Sequence, residues 1–168
     1  ASGRVPPFQR SRSISPEYFA GFMDGEGSFM LAKVSRRTGL GYQYVPRLSI
    51  DNTNNLILKQ IQECYGGGLS EQLRREKGWR NVFKLVWTGP NVESVLRAVA
   101  PHLHVKRRQA HMLLGFMDHV RKTDHGRNWR ERLGSEGTVR YRESVYLRMR
   151  ELNARGPRPP VVLNGPIT

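Results

Sequence analysis

Two carboxylates, Asp24 and Glu26, stand at the end of a short segment rich in small residues, Phe19-Ala20-Gly21-Phe22-Met23-Asp24-Gly25-Glu26-Gly27. Upstream, Ser15-Pro16-Glu17 supplies an N-cap hydroxyl, a proline at the first helical position and an acid in the first turn, so a helix is expected from Pro16 to about Gly25. Its C-terminal end disfavours negative charge, because the macrodipole and unpaired carbonyls already carry it there. A divalent cation would compensate, since carboxylate and carbonyl oxygens are the hard ligands that magnesium takes. Ala20, Gly21 and Gly25 leave a bare stripe along which another helix backbone can come close. Two such helices side by side would bring two Glu26 carboxylates together. The bland alternative is an ordinary helix end, with Gly25 and Gly27 as terminators and Glu26 as a solvated acid.

The pattern downstream sets the fold class. Residues 28–37 and 42–51 read as extended, with Thr38-Gly39-Leu40-Gly41 as the turn of a hairpin. In the second strand Tyr44, Pro46, Leu48 and Ile50 alternate with Gln43, Val45, Arg47 and Ser49, giving an apolar and a mostly polar face. The first strand lacks clean alternation at Ala32 and Lys33. Asn52-Thr53-Asn54 offers N-cap chemistry for a helix through Cys64, with Leu56, Ile57, Ile61 and Cys64 as its apolar stripe. Gly66-Gly67-Gly68 ends it; no Lys-Ser/Thr follows, which argues for a turn and against a phosphate loop. A second hairpin spans residues 69–75 and 80–88. Helices follow over 91–100, bearing Val92, Val95, Leu96 and Val99, over 104–122, bearing Leu113, Leu114, Phe116 and Met117, and over 138–153. This order predicts an α+β fold with a four-stranded antiparallel sheet, one face of which the helices leave free. A basic N-terminal arm (1–13), a single domain (14–155) and a proline-rich tail (156–168) are expected.

The charge balance names the partner. The 28 Lys plus Arg against 14 Asp plus Glu give a net charge of +14, and 22 of the cations are Arg. Guanidinium matches phosphate oxygens and guanine edges, so a nucleic acid is the expected partner. A free, Arg-bearing antiparallel face can enter a major groove. Candidate contacts there are Arg36, Gln43, Arg47, Ser49, Ser70, Gln72, Arg74 and Lys84, with Arg47 and Arg74 suited to guanine and Gln43 and Gln72 to adenine. Arg140 and Arg142 are candidates for backbone phosphates. The lone Cys64 excludes an internal disulfide and a cysteine-based zinc site, and His102, His104, His111, His119 and His125 have no zinc spacing. No apolar run spans a bilayer and no basic amphipathic helix offers an aromatic face, so no membrane partner is expected. An intracellular location is expected: a prokaryotic cytoplasm, archaeal included, or a mitochondrion or chloroplast.

The segment Phe19 to Gly27 resembles the signature of the LAGLIDADG homing endonuclease family, and residues 16–122 follow that family's helix, hairpin, helix, hairpin, helix order. The resemblance implies an αββαββα fold with additional C-terminal helices and a magnesium-dependent, site-specific double-strand DNA endonuclease, encoded in an intron or intein. By the same resemblance Glu26 binds the catalytic metal, Gly25 offers its carbonyl, and Asp24 is structural, receiving hydrogen bonds at the helix end. Mn2+ or Ca2+ would suit the same ligands. Glu26 stands where the family more often has aspartate. Lys106, in Pro101-His102-Leu103-His104-Val105-Lys106-Arg107-Arg108, matches the family's basic residue near the cleavage centre; an ordinary solvated lysine is the competing view. Asn52 fits the polar residue that holds the water network, with Asp51 and Asn54 as alternatives.

Gly115-Phe116-Met117-Asp118 echoes Gly21 to Asp24, but His119-Val120 replaces the Gly-Glu pair and no hairpin pattern follows. A single motif requires a symmetric homodimer on a nearly palindromic DNA site, with Phe19, Ala20, Gly21, Met23 and Asp24 expected at the interface. The rival is a binding protein on the same scaffold: an RNA splicing cofactor of the maturase type, whose partner is intron RNA, or a DNA-binding regulator.

Overall fold

The computed structural model describes residues 13–35, 41–73, 81–89, 91–123 and 136–154. Helix α1 (Pro16–Glu26) begins at Ser15, whose Oγ accepts the Tyr18 N–H, and runs directly into β1 (Gly27–Ser35). β2 (Tyr42–Asn52) returns antiparallel, with Phe29 opposite Leu48. Asn54 caps α2 (Asn55–Tyr65) by accepting the N–H groups of Leu56 and Ile57. β3 (Gly68–Gln72) and β4 (Val82–Thr88) form the second hairpin, and β4 inserts beside β2, so the sheet order is β1-β2-β4-β3. α3 (Asn91–Val99) ends in a tight turn at Ala100–His102, and α4 (Arg107–Thr123) and α5 (Glu136–Asn153) complete the described chain. The predicted α+β class with a four-stranded antiparallel sheet is the observed one.

The core lies on one side of the sheet. Phe29 and Leu31 of β1, Leu48 and Ile50 of β2, and Leu85 and Trp87 of β4 are all buried against Phe19, Met23, Leu58, Ile61, Leu96 and Leu113 from the helices. Phe19 fixes α1 there: its ring lies 4.4 Å from Tyr65 and 5.7 Å from Trp87, and the Trp87 indole N–H donates to the Tyr65 carbonyl at 2.9 Å. Gly67 makes room for this indole. Its φ is +100°, and a Cβ would lie 2.9 Å from Trp87 Nε1.

One local expectation is corrected, and the open parity of β1 is resolved. In α2 the buried line is Leu58 and Ile61, whereas Leu56 is 67% exposed and Cys64 is also on the surface. The docking of Tyr65 on Phe19 and Trp87 sets the rotation of this helix, and it turns the 56/64 edge outward. In β1 the broken alternation at Lys33 has a distant cause. Lys33 is on the helix side with Phe29 and Leu31, where its ammonium pairs with Glu143 of α5 at 2.8 Å and sits 4.4 Å from the Tyr42 ring centre. Tyr44 donates to the same carboxylate, and Asn153 Nδ2 donates to the Phe29 carbonyl at 2.7 Å, so α5 is tied to β1 at two points.

Candidate active site and nucleic-acid interface

The end of α1 separates its two acids. Asp24 points back into the chain and accepts three backbone N–H groups from the segment before α4: His104 at 2.7 Å, Val105 at 3.2 Å and Lys106 at 2.9 Å. Burial alone would raise the Asp24 pKa; the three donors and the nearby Lys106 charge outweigh it and hold the carboxyl below its ordinary value. Asp24 is therefore the structural acid. Glu26 is exposed and makes no hydrogen bond or ion pair among the described residues.

Lys106 meets the same helix end from the other side. Its ammonium donates to the carbonyls of Met23 at 3.0 Å and Asp24 at 2.8 Å, the unpaired acceptors at the α1 terminus. Burial pushes the Lys106 pKa below the usual lysine range, while Asp24 and Glu26 pull it back up. The lysine is thus neither solvated nor remote. Part of the compensation that the sequence assigns to a metal is supplied by this cation. The last glycine of the segment is a packing requirement: a Cβ on Gly27 would lie 2.6 Å from the Met23 carbonyl oxygen and 2.9 Å from its sulfur.

The chemistry of the donors present fits a shared metal site. Glu26 is an unengaged hard oxygen ligand, and Gly25, where an added Cβ would meet nothing within 4 Å, is open on the same tip. Among the described residues no group of three or more His, Cys, Asp or Glu could enclose an ion.

The outer face of α1 differs from the predicted interface. Phe19, Ala20 and Met23 are fully buried in the chain's own core, so they cannot meet a second copy, and Asp24 is engaged with residues 104–106. The free face carries Tyr18, Gly21, Phe22 and Gly25, at i, i+3, i+4 and i+7. Tyr18 is 52% exposed and stacks on Phe22 at 6.4 Å. An added Cβ at Gly21 or Gly25 would meet nothing within 4 Å, so the two glycines leave this face bare. Tyr18 and Phe22 are the residues that sequence reasoning missed, although their helical spacing with Gly21 and Gly25 was available.

Asn52 is two residues past the partner of Gly27, and its Oδ1 accepts the Asn54 N–H at 2.8 Å. Its alternatives are likewise engaged locally: Asp51 pairs with Lys84 at 3.2 Å and Asn54 caps α2. Among the described residues none of the three bonds to α1.

The free sheet face is present. Cross-strand pairing places Gln43, Arg47, Ser49, Lys84, Ser70 and Gln72 on the side opposite Leu48, Trp87 and Leu69. Ser49 is the exception in access: it is 1% exposed, closed in between its neighbours on β1 and β4. Arg47 Nε is sheltered without a hydrogen-bond partner among the described residues. Arg36 and Arg74 are outside the described residues. Arg142 is corrected: it is 7% exposed and donates to Thr123 Oγ1 at 3.0 Å, inside the packing of α5, so a phosphate is not its partner. Arg140 is exposed on α5 and paired with Glu136. His119 stacks on Tyr141 at 4.1 Å, and Phe116, in the echo of the α1 segment, is buried in the core. Among the described residues no helix is long and apolar enough to cross a membrane.

A family model described as LAGLIDADG endonuclease matches residues 19–103. The fold is similar to that of the homing endonuclease I-CvuI in complex with its target in the presence of calcium, at 22% identity over 85% of this chain and 83% of that one, with a TM-score of 0.66. It is also similar to the archaeal intron-encoded homing endonuclease I-Vdi141I complexed with DNA (22% identity, 85% and 86% covered, TM-score 0.66) and to the homing endonuclease I-TnaI (17% identity, 86% and 92% covered, TM-score 0.62). No curated protein matches the sequence.

Proposed function

The chain belongs to the LAGLIDADG endonuclease family, and from that premise we propose that it is an intron- or intein-encoded homing endonuclease, a homodimer that hydrolyses both strands of a long, nearly palindromic DNA site with a divalent metal. The observation that carries this reading is the division of labour at the α1 tip. Both oxygens of Asp24 are taken by backbone N–H groups, while Glu26, two residues on, is left unengaged beside a half-buried ammonium.

Two copies packed through Gly21 and Gly25 would set two Glu26 carboxylates and two Gly25 carbonyls at one centre. Magnesium, or another hard divalent ion held there, would supply Lewis-acid stabilisation of charge on the scissile phosphate. The chain's own contributions are distinct from that. Lys106 holds the tip together through the Met23 and Asp24 carbonyls and places a fixed positive charge where the phosphate becomes more negative. Arg47, Lys84, Gln43, Ser70 and Gln72 present donors from the free sheet face to bases and phosphates. Chain charge of +14 supports a salt-sensitive, electrostatically driven encounter with duplex DNA.

Glu26→Gln tests the assignment, since it preserves size while removing the anionic ligand. On the intronless host sequence with magnesium, the wild type is expected to cut both strands, and the variant to lose about a hundredfold or more in cleavage rate at nearly unchanged DNA affinity. Equal cutting by the variant would overturn the metal assignment. No cutting by the wild type, together with tight binding of intron RNA, would favour a splicing cofactor instead.

A further inference from the structure

Sheet pairing determines which β1 side chains share the free face, and the face is less polar than the charge of the chain suggests. Met30, Ala32 and Val34 lie opposite Arg47, Val45 and Gln43 of β2, on the side away from buried Phe29 and Leu31. Val34 is 48% exposed, and Met30, Ala32 and Val45 are half-buried. Ala32 and Val45 are direct partners, so these four form one aliphatic patch on the β1–β2 hairpin, bordered by Gln43 and Arg47.

Resting on the DNA endonuclease reading, we propose that this patch recognises the 5-methyl groups of thymines in the major groove, making the target thymine-rich beneath the hairpin. Donors and acceptors line most of the major-groove floor, and an aliphatic surface pressed on them would strand those groups without water. Thymine alone among the unmodified bases offers a methyl there. Duplex DNA is the occupant because the patch is framed by a guanidinium and shares its face with Lys84, on a chain with a net charge of +14.

The test selects duplexes from a random library with the full chain, without metal, and then compares the winner with the same sequence carrying deoxyuridine for thymidine. Loss of about fourfold in affinity per thymine read is expected, the equivalent of one buried methyl group. Val45→Ser should narrow the gap between the two duplexes, whereas Lys84→Gln should weaken both alike. Equal binding of the uracil duplex would overturn the proposal while leaving the DNA reading intact. Failure of the library to enrich any sequence would overturn both.

Discussion

Asp24→Asn isolates the structural half of the α1 tip. The carboxylate accepts N–H groups at 2.7, 3.2 and 2.9 Å; the first two bonds are exposed and the third, from Lys106, is partly buried. A sheltered hydrogen bond to a charged acceptor contributes about 1.5–3 kcal/mol, and an exposed one a fraction of that, here about 0.5 kcal/mol each. Asparagine keeps one acceptor oxygen and turns an NH2 group toward a backbone N–H, which it cannot satisfy. The net loss is therefore about 2–3 kcal/mol, or about 4–12 °C in Tm for a chain of this size. Because folding depresses the Asp24 pKa below its ordinary value, the stabilisation is complete above the unfolded pKa and is lost as pH falls through the folded one. Thermal melts followed by circular dichroism, without DNA or metal, should show a wild-type advantage that is constant near neutrality and shrinks in acid. A variant within about 2 °C of the wild type at pH 7 would refute the estimate, and a gap that persists unchanged to about pH 2 would refute its electrostatic origin.

Other consequences are as direct. Gly27→Ala would drive a methyl into the Met23 carbonyl, which is backbone and cannot rotate away, so urea denaturation should show a loss of about 1–3 kcal/mol. Gly21→Leu should leave the single chain as stable as before, since an added Cβ meets nothing there, yet weaken self-association by about tenfold or more in sedimentation equilibrium. An unchanged dimer constant would remove the α1 face from the interface. Magnesium at about 10 mM should move the Tm of the DNA-free Gly21→Leu monomer by under about 1 °C, because Lys106 already neutralises the α1 carbonyls and one tip holds a single unengaged carboxylate. A large shift would mean a complete site within one chain.

What the sequence carried clearly was local. Ser15-Pro16 and Asn54 start their helices as their side-chain chemistry dictates, and the alternation through 43–50 placed Arg47 and Ser49 opposite Leu48 and Ile50. What it hid was set by contacts distant in the chain. Lys33 breaks the β1 pattern because its partner, Glu143, is 110 residues away. Arg142 looks like a surface cation from its neighbours, yet it is buried, with Thr123 of α4 accepting from its guanidinium. The role of Lys106 depends on Asp24, 82 residues earlier, folding residues 104–106 onto the α1 end. Ser49 has the right parity and the wrong depth, since strand periodicity fixes a face but not how tightly cross-strand neighbours close over it.

The angular arithmetic of a helix gives the physical reason that the two acids, to which the family resemblance assigns different roles, meet different surroundings. Successive residues turn by about 100°, so Asp24 and Glu26 project about 200° apart and cannot serve the same environment. The inward direction is fixed by Phe19, Ala20 and Met23, all buried, and Asp24, adjacent to Met23, falls on the edge that meets residues 104–106. Glu26 falls on the opposite flank of the face formed by Tyr18, Gly21, Phe22 and Gly25, and as the last helical residue it is exposed. Gly27 turns the chain into β1 over Met23 without room for a side chain, and the helix ends at Glu26. Core packing of three residues thus sets which carboxylate is spent on structure and which is left exposed at the helix end.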